Sequence, residues 1–166
     1  DYFNLDLKYI KQETSDCDFS NSNILITGCA GFIGYYLVNY LEKFKDELGI
    51  KSIIGLDSFI LGCPDWLKKI SEKEDSRIEL FKFNIGKDKI NELAKSDEIT
   101  HIIHMASIAS PSFYRQYPIE TVDANIWGLR DLLDYNQQNN NLKGFLFFSS
   151  SEIYGCLLYT SDAADD

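Results

Sequence analysis

Residues 23 to 155 predict a doubly wound α/β fold, a parallel sheet with helices on both faces. Three observations carry this expectation. Short runs that are apolar throughout recur along the chain, as strands buried on both faces require. The segments between them show helical periodicity. A glycine-rich turn closes the first apolar run and opens the first long helix. The sheet is expected to be incomplete at its C-terminal end, because the strand signals stop with the fifth.

Taken in order, Asp1 to Ser22 is polar with a weakly helical patch at LDLKYIKQ, and is expected to form an N-terminal arm. Asn23 to Thr27 is a short apolar run ending in glycine, the pattern of a buried parallel strand. Phe32 to Leu48 spaces Ile33, Leu37, Leu41, Phe44 and Leu48 as a helix does, and Gly49 stops it. Ser52 to Leu56 is a second strand, ending at Asp57. A loop with Gly62 and Pro64 leads to a helix over Trp66 to Lys73. Ile78 to Phe83, Thr100 to Met105 and Gly144 to Phe148 supply the remaining strands. One helix is expected over Ile119 to Asn136, with Val122, Ile126, Leu129, Leu132 and Leu133 facing the core.

Composition narrows the function. The 166 residues are 45% hydrophobic, ordinary for a globular α/β chain, and carry a formal charge of −10. That charge repels phosphate backbones at long range and argues against non-specific nucleic-acid binding. A small anion can still bind where backbone dipoles converge. No apolar run approaches the ~20 residues of a membrane span, and no charged-then-apolar leader opens the chain. Cys17, Cys29, Cys63 and Cys156 show neither metal-like spacing nor a disulfide framework, so a cytoplasmic protein with reduced thiols is expected.

The strongest motif is ITGCAGFIGYY, in which Gly28, Gly31 and Gly34 follow a strand and open a helix. Gly28 permits the tight turn, Gly31 lets backbone approach a diphosphate, and Gly34 lets helix and strand pack closely. The exposed N–H groups and positive end of the helix then hold the anion. Asp57 stands 23 residues after Gly34, at the end of the second strand. A carboxylate there accepts the adenosine ribose hydroxyls and repels a 2′-phosphate, which favours NAD over NADP. His101 and His104 flank a strand without metal-ligand partners, and no metal site is expected. Trp127 reads as core or interface, and Tyr114 and Arg115 as surface or substrate contacts.

Three ordered motifs resemble one family. Thr27 to Gly34 (TGCAGFIG), His104 to Ser107 (HMAS) and Ser149 to Gly155 (SSSEIYG) are similar to the signatures of the extended short-chain dehydrogenase/reductases. The resemblance is to their NAD-dependent nucleotide-sugar epimerase/dehydratase group. Within it, the stretch from His104 to Asp134 most resembles the UDP-glucuronate decarboxylases; 4,6-dehydratases, 4-epimerases and a non-catalytic NAD(H)-binding protein stay open as alternatives.

The resemblance implies a Rossmann fold with bound NAD, which takes a hydride from sugar C4 and returns it within one turnover. It implies a UDP- or dTDP-linked sugar as partner. Gly28, Gly31, Phe32, Ile33 and Gly34 would bind the cofactor together with Asp57. Asn84 and Ile85 match the pair that touches adenine, and Ala106 and Ser107 would line the ribose–nicotinamide wall. Ser150 would hydrogen-bond the C4 oxygen, and Glu152 would sit near C5. Relatives commonly pair through two helices, so the 119–136 helix is a candidate homodimer face of the full-length parent.

Relatives also carry a Tyr followed four residues later by Lys. Here Leu158 follows Tyr154 at that spacing, and Ala163 follows Tyr159. The closing CLLYTSDAADD, Cys156 to Asp166, resembles a translated sequencing adapter rather than family sequence. The native part is therefore expected to end at Gly155, and the chain to be inactive as it stands.

Overall fold

The computed structural model describes residues 2–60 and 62–150. Five strands, β1 (Asn23–Thr27), β2 (Ser52–Asp57), β3 (Ile78–Lys82), β4 (His101–His104) and β5 (Gly144–Phe147), form one sheet in the order β3-β2-β1-β4-β5. Every pairing is parallel. The order reverses between β2–β1 and β1–β4, which places a crevice beyond the carboxyl end of β1.

Each sheet face buries a separate core. Ile24, Ile26, Ile53 and Ile103 pack under Leu7, Val38 and Leu41 on one side. Leu25, Ile54, Leu56 and Ile102 pack under Ile90, Ala124, Leu132 and Tyr135 on the other. The alternation along β1 therefore serves two cores, which is why the strand reads as apolar throughout.

The N-terminal segment from residue 2 to 22 packs on the domain. Tyr2–Glu13 forms helix α1, which lies against α2 (Phe32–Lys43). Leu7 is 1% exposed, with Phe3 and Ile10 packed beside it. Thr14 Oγ1 and the Tyr40 hydroxyl are 2.7 Å apart, and Lys11 pairs with Glu47. Phe3, Leu7 and Ile10 lie three and four apart, so the helical stripe was present, diluted by a polar remainder. One narrow stripe is enough to dock a helix on a larger neighbour, however polar the rest of its surface.

Helix α2 ends at Lys43 rather than Leu48; turns carry the chain to Gly49, whose φ of +66° ends the segment. Helix α3 covers Asp65–Ser71.

The single helix expected over 119–136 is divided. Helix α4 (Pro111–Gln116) and α5 (Pro118–Val122) each begin on a proline, which needs no N–H partner in a first turn. A π-helical turn, Asp123–Gly128, then leads into α6 (Leu129–Gln138). Val122, Ile126 and Leu133 lie on the outward face, contrary to expectation. Ala124, Leu132 and Tyr135 take the core positions. Gly86 and Gly128 let the two segments meet: a Cβ on Gly128 would lie 2.9 Å from the Ile85 carbonyl oxygen, and one on Gly86 would lie 3.1 Å from the Asp123 carbonyl carbon. The segment after β3 presses directly on this turn.

None of the described helices is long and apolar enough to cross a membrane.

Candidate functional site

The site grows from the end of β1. Gly28 takes φ +73°, and a Cβ there would lie 2.8 Å from Ala106 N and 2.9 Å from Ala106 Cα. Both the turn and the close approach of the segment after β4 therefore demand glycine. The Gly28 N–H donates to the Leu56 carbonyl at 2.8 Å, tying the turn to β2. Gly34 meets a harder limit, since a Cβ would fall 2.3 Å from the Cys29 carbonyl oxygen. Cys29 itself fills the space beneath the turn; burial pushes its thiol up to about 12, so it packs and does not react.

Gly31 caps α2 with no side-chain acceptor. The first N–H groups of that helix, on Phe32, Ile33 and Gly34, have no carbonyl within the helix to receive them. The Phe32 side chain is 81% exposed and that of Ile33 is also exposed, so these positions offer backbone donors rather than side-chain contacts.

Asp57 faces this turn from the end of β2. Its Oδ2 accepts the Ala30 N–H at 3.1 Å and its Oδ1 accepts the Phe59 N–H at 2.9 Å. A carboxylate has lone pairs beyond these two, so it can still receive hydroxyl donors from a ligand. Gly28, Gly31, Asp57 and Ser107 line one cavity of about 430 Å³. Phe113 and Tyr117 also line it.

The wall opposite Asp57 comes from the end of β4. Thr27 Oγ1 receives the N–H groups of Met105 and Ala106, each at 3.2 Å, and lies 2.7 Å from His104 Nδ1. His104 is 1% exposed, and burial lowers its pKa to about 4, so the ring is neutral at ordinary pH.

The expected residues divide accordingly. The three glycines, Asp57, Ala106 and Ser107 converge on the cavity or on the turn that bounds it. Asn84 and Ile85 are not among its lining residues. Asn84 Oδ1 accepts the Gly86 N–H at 3.1 Å, and Ile85 is buried against Gly128. Ser150 lies just past β5, whose end is held to β4 by the Phe148 N–H on the His104 carbonyl at 3.0 Å. Glu152 lies outside the described residues, as do Cys156 to Asp166. Sequence reasoning did not single out Ile60, Phe113 or Tyr117 as cavity residues, nor Thr27 as its hub. The two aromatics had a signal in the run SPSFYRQYP, but only the fold shows which ring turns inward.

Residues 24–164 match the model of the NAD dependent epimerase/dehydratase family. The chain belongs to that family. A UDP-glucuronic acid decarboxylase 5 of Arabidopsis thaliana is 34% identical over 137 residues, 82% of this chain and 36% of the relative. A UDP-glucuronate 4-epimerase 4 of the same plant is 30% identical over 135 residues, 80% of this chain and 30% of the relative. Among solved structures, a dTDP-glucose 4,6-dehydratase of Bacillus anthracis in complex with NAD is similar at TM-score 0.63 and 25% identity. That similarity covers 82% of this chain and 40% of the dehydratase. The chain thus spans about a third of the length of the curated relatives it matches. The family assignment agrees with the doubly wound sheet, the glycine turn and the NAD dependence expected from the residues.

Proposed function

We propose that this chain is the cofactor-binding part of an NAD-dependent nucleotide-sugar enzyme, with decarboxylation of a UDP-glucuronate-like substrate as the parent reaction. One observation carries the reading. An uncapped helix N-terminus and a carboxylate stand side by side on a cavity bounded by Gly28, whose Cβ position is already filled by backbone. A dinucleotide offers a diphosphate to the first and ribose hydroxyls to the second. The carboxylate disfavours a phosphorylated ribose, so the preference is for NAD.

Bound NAD supplies a hydride acceptor, and the remaining work falls to side chains. Ser150 stands at the carboxyl edge of the sheet, where its hydroxyl would hold the sugar C4 oxygen. Glu152 would sit at C5 as acid or base. No Tyr in the 166 residues is followed four positions later by Lys, so the chain lacks the pair that relatives use to take the C4 proton. It is expected to bind the cofactor without turning sugar over. The relatives also include 4-epimerases and a 4,6-dehydratase, and the decarboxylase reading is supported by the similarity to UDP-glucuronic acid decarboxylases and by the segment from His104 to Asp134.

Ile119, Val122, Ile126 and Trp127 are exposed on consecutive turns, and we read this apolar face as the homodimer contact of the parent. A monomer by sedimentation of the complete parent would remove that reading.

Calorimetric titration with NAD⁺, NADH and NADP⁺ tests the core of the proposal. Heat with NAD⁺ or NADH and weaker binding of NADP⁺ supports it; equal affinity for NADP⁺, or no heat from a folded sample, overturns it. Assay of the complete reading frame with UDP-glucuronate and dTDP-glucose then separates the chemistries.

A further inference from the structure

We propose that His104 is a positioning residue for the cofactor site, accepting the Thr27 hydroxyl proton at Nδ1 so that Thr27 Oγ1 holds the Met105–Ala106 wall against the glycine turn. The inference rests on the cofactor reading above for its purpose, but not for its geometry.

The argument counts protons and lone pairs. Thr27 Oγ1 has one proton and two lone pairs, and it is 2.7 Å from His104 Nδ1 and 3.2 Å from both the Met105 and Ala106 nitrogens. Both backbone nitrogens carry protons and can only donate. Met105 N–H is shared with the Thr27 carbonyl at 3.1 Å, so Ala106 depends on the hydroxyl more. With both lone pairs engaged, the hydroxyl proton goes to Nδ1, which must then be bare. The ring is therefore neutral and protonated at Nε2.

The opposite tautomer fares worse. It would aim three N–H groups at one oxygen and leave the hydroxyl proton without an acceptor in a residue that is 1% exposed. The favoured tautomer leaves only Nε2–H unsatisfied, and Nε2 is a buried atom without a hydrogen-bond partner among the described residues. One orphan is preferable to two. Phe147 stacks on the ring, centroids 5.4 Å apart at 25°, and so fixes the plane in which Nδ1 faces Thr27. The consequence reaches the cavity because Ala106 lies directly beneath Gly28 and Ser107 lines the cavity.

The test begins with the intact 166-residue chain. A two-bond proton–nitrogen correlation spectrum at neutral pH is expected to show His104 protonated at Nε2 alone. Protonation at Nδ1 or a doubly protonated ring overturns the proposal without any variant having to fold. His104→Asn keeps an acceptor near the Nδ1 position and His104→Leu does not. Exchange of the Ala106 amide is expected to quicken about tenfold in His104→Leu and to stay near the unsubstituted chain's rate in His104→Asn. Equal exchange in the two variants overturns the proposal. NADH titration followed by fluorescence should show the same split, with binding about tenfold weaker only in the leucine variant. If the unsubstituted 166-residue chain binds no NADH, the cofactor reading fails, while the spectrum and amide exchange still decide the contact.

Discussion

The Asp57 carboxylate accepts the Ala30 N–H at 3.1 Å, joining the end of β2 to the glycine turn that leaves β1. The same group therefore shapes the turn and faces the ligand. Replacing Asp57 with Ala is expected to weaken NADH binding by about 2 kcal/mol, roughly thirtyfold, from the loss of charged hydrogen bonds. The preference for NAD⁺ over NADP⁺ should narrow as well, because the repelling charge is gone. Paired titrations with the two cofactors measure both effects.

Gly28 has no tolerated replacement. Gly28→Ala sets a side chain at φ +73° and drives its Cβ to 2.8 Å from Ala106 N. Backbone strain and overpacking together should destabilise the chain by about 3 kcal/mol. Urea unfolding checks the cost, and unchanged stability would mean the turn is looser than its geometry indicates.

Leu7 tests whether α1 belongs to the core. It is 1% exposed and packed among residues of the first core. Leu7→Ala should cost about 3 kcal/mol, the range for a large-to-small change in a core. A free arm would lose nothing measurable.

Lys45 and Glu42 form an ion pair at 3.1 Å with side chains 9% and 6% exposed. Burial alone would lower the Lys45 pKa, but hydrogen bonds to Asp75 and Glu42 outweigh it and the net shift is upward. Glu42 also receives the Arg77 N–H at 2.8 Å, so the pair staples α2 to the entry of β3. Lys45→Met strands the carboxylate and should cost about 3 kcal/mol. Adding Glu42→Gln should recover part of that loss, and a double-mutant cycle reads the coupling.

His104 should make the chain acid-sensitive in a defined window. Its pKa falls from 6.5 unfolded to about 4 folded, because burial disfavours the charged ring. The unfolded chain thus binds the proton first, and stability is full above pH 6.5 and falls as pH drops towards 4. The loss from this group is on the order of 3 kcal/mol. His101 shifts the same way, chiefly by burial, and adds to the slope. Asp18 and Asp75 act only lower, since their pKa values lie below 3.8. Urea midpoints across this range should slope in the unsubstituted chain and slope less steeply in His104→Asn.

Local pattern made much of this legible. The apolar runs at Ile24, Ile53 and Ile102 name the strands because backbone sterics allow few other uses for such segments between helices. Gly28 and Gly34 announced the turn, and both prove to be places where a Cβ meets backbone. Asp57 was legible from its place after β2. Phe113 and Tyr117 were not, because an aromatic run does not say which ring faces a cavity and which faces water.

By itself, the chain's sequence determined the strand–helix alternation, the glycine turn and the acidic residue opposite it, since each is a short-range consequence of side-chain size and period. Only the tertiary structure decided that α1 docks through Leu7, and that the segment around the π turn Asp123–Gly128 buries Ala124, Leu132 and Tyr135 and leaves Val122 and Ile126 exposed. It alone brought Thr27 to His104, 77 residues apart. The physical reason is common to all three: which surface a segment buries depends on what distant elements leave uncovered, and no local period records that.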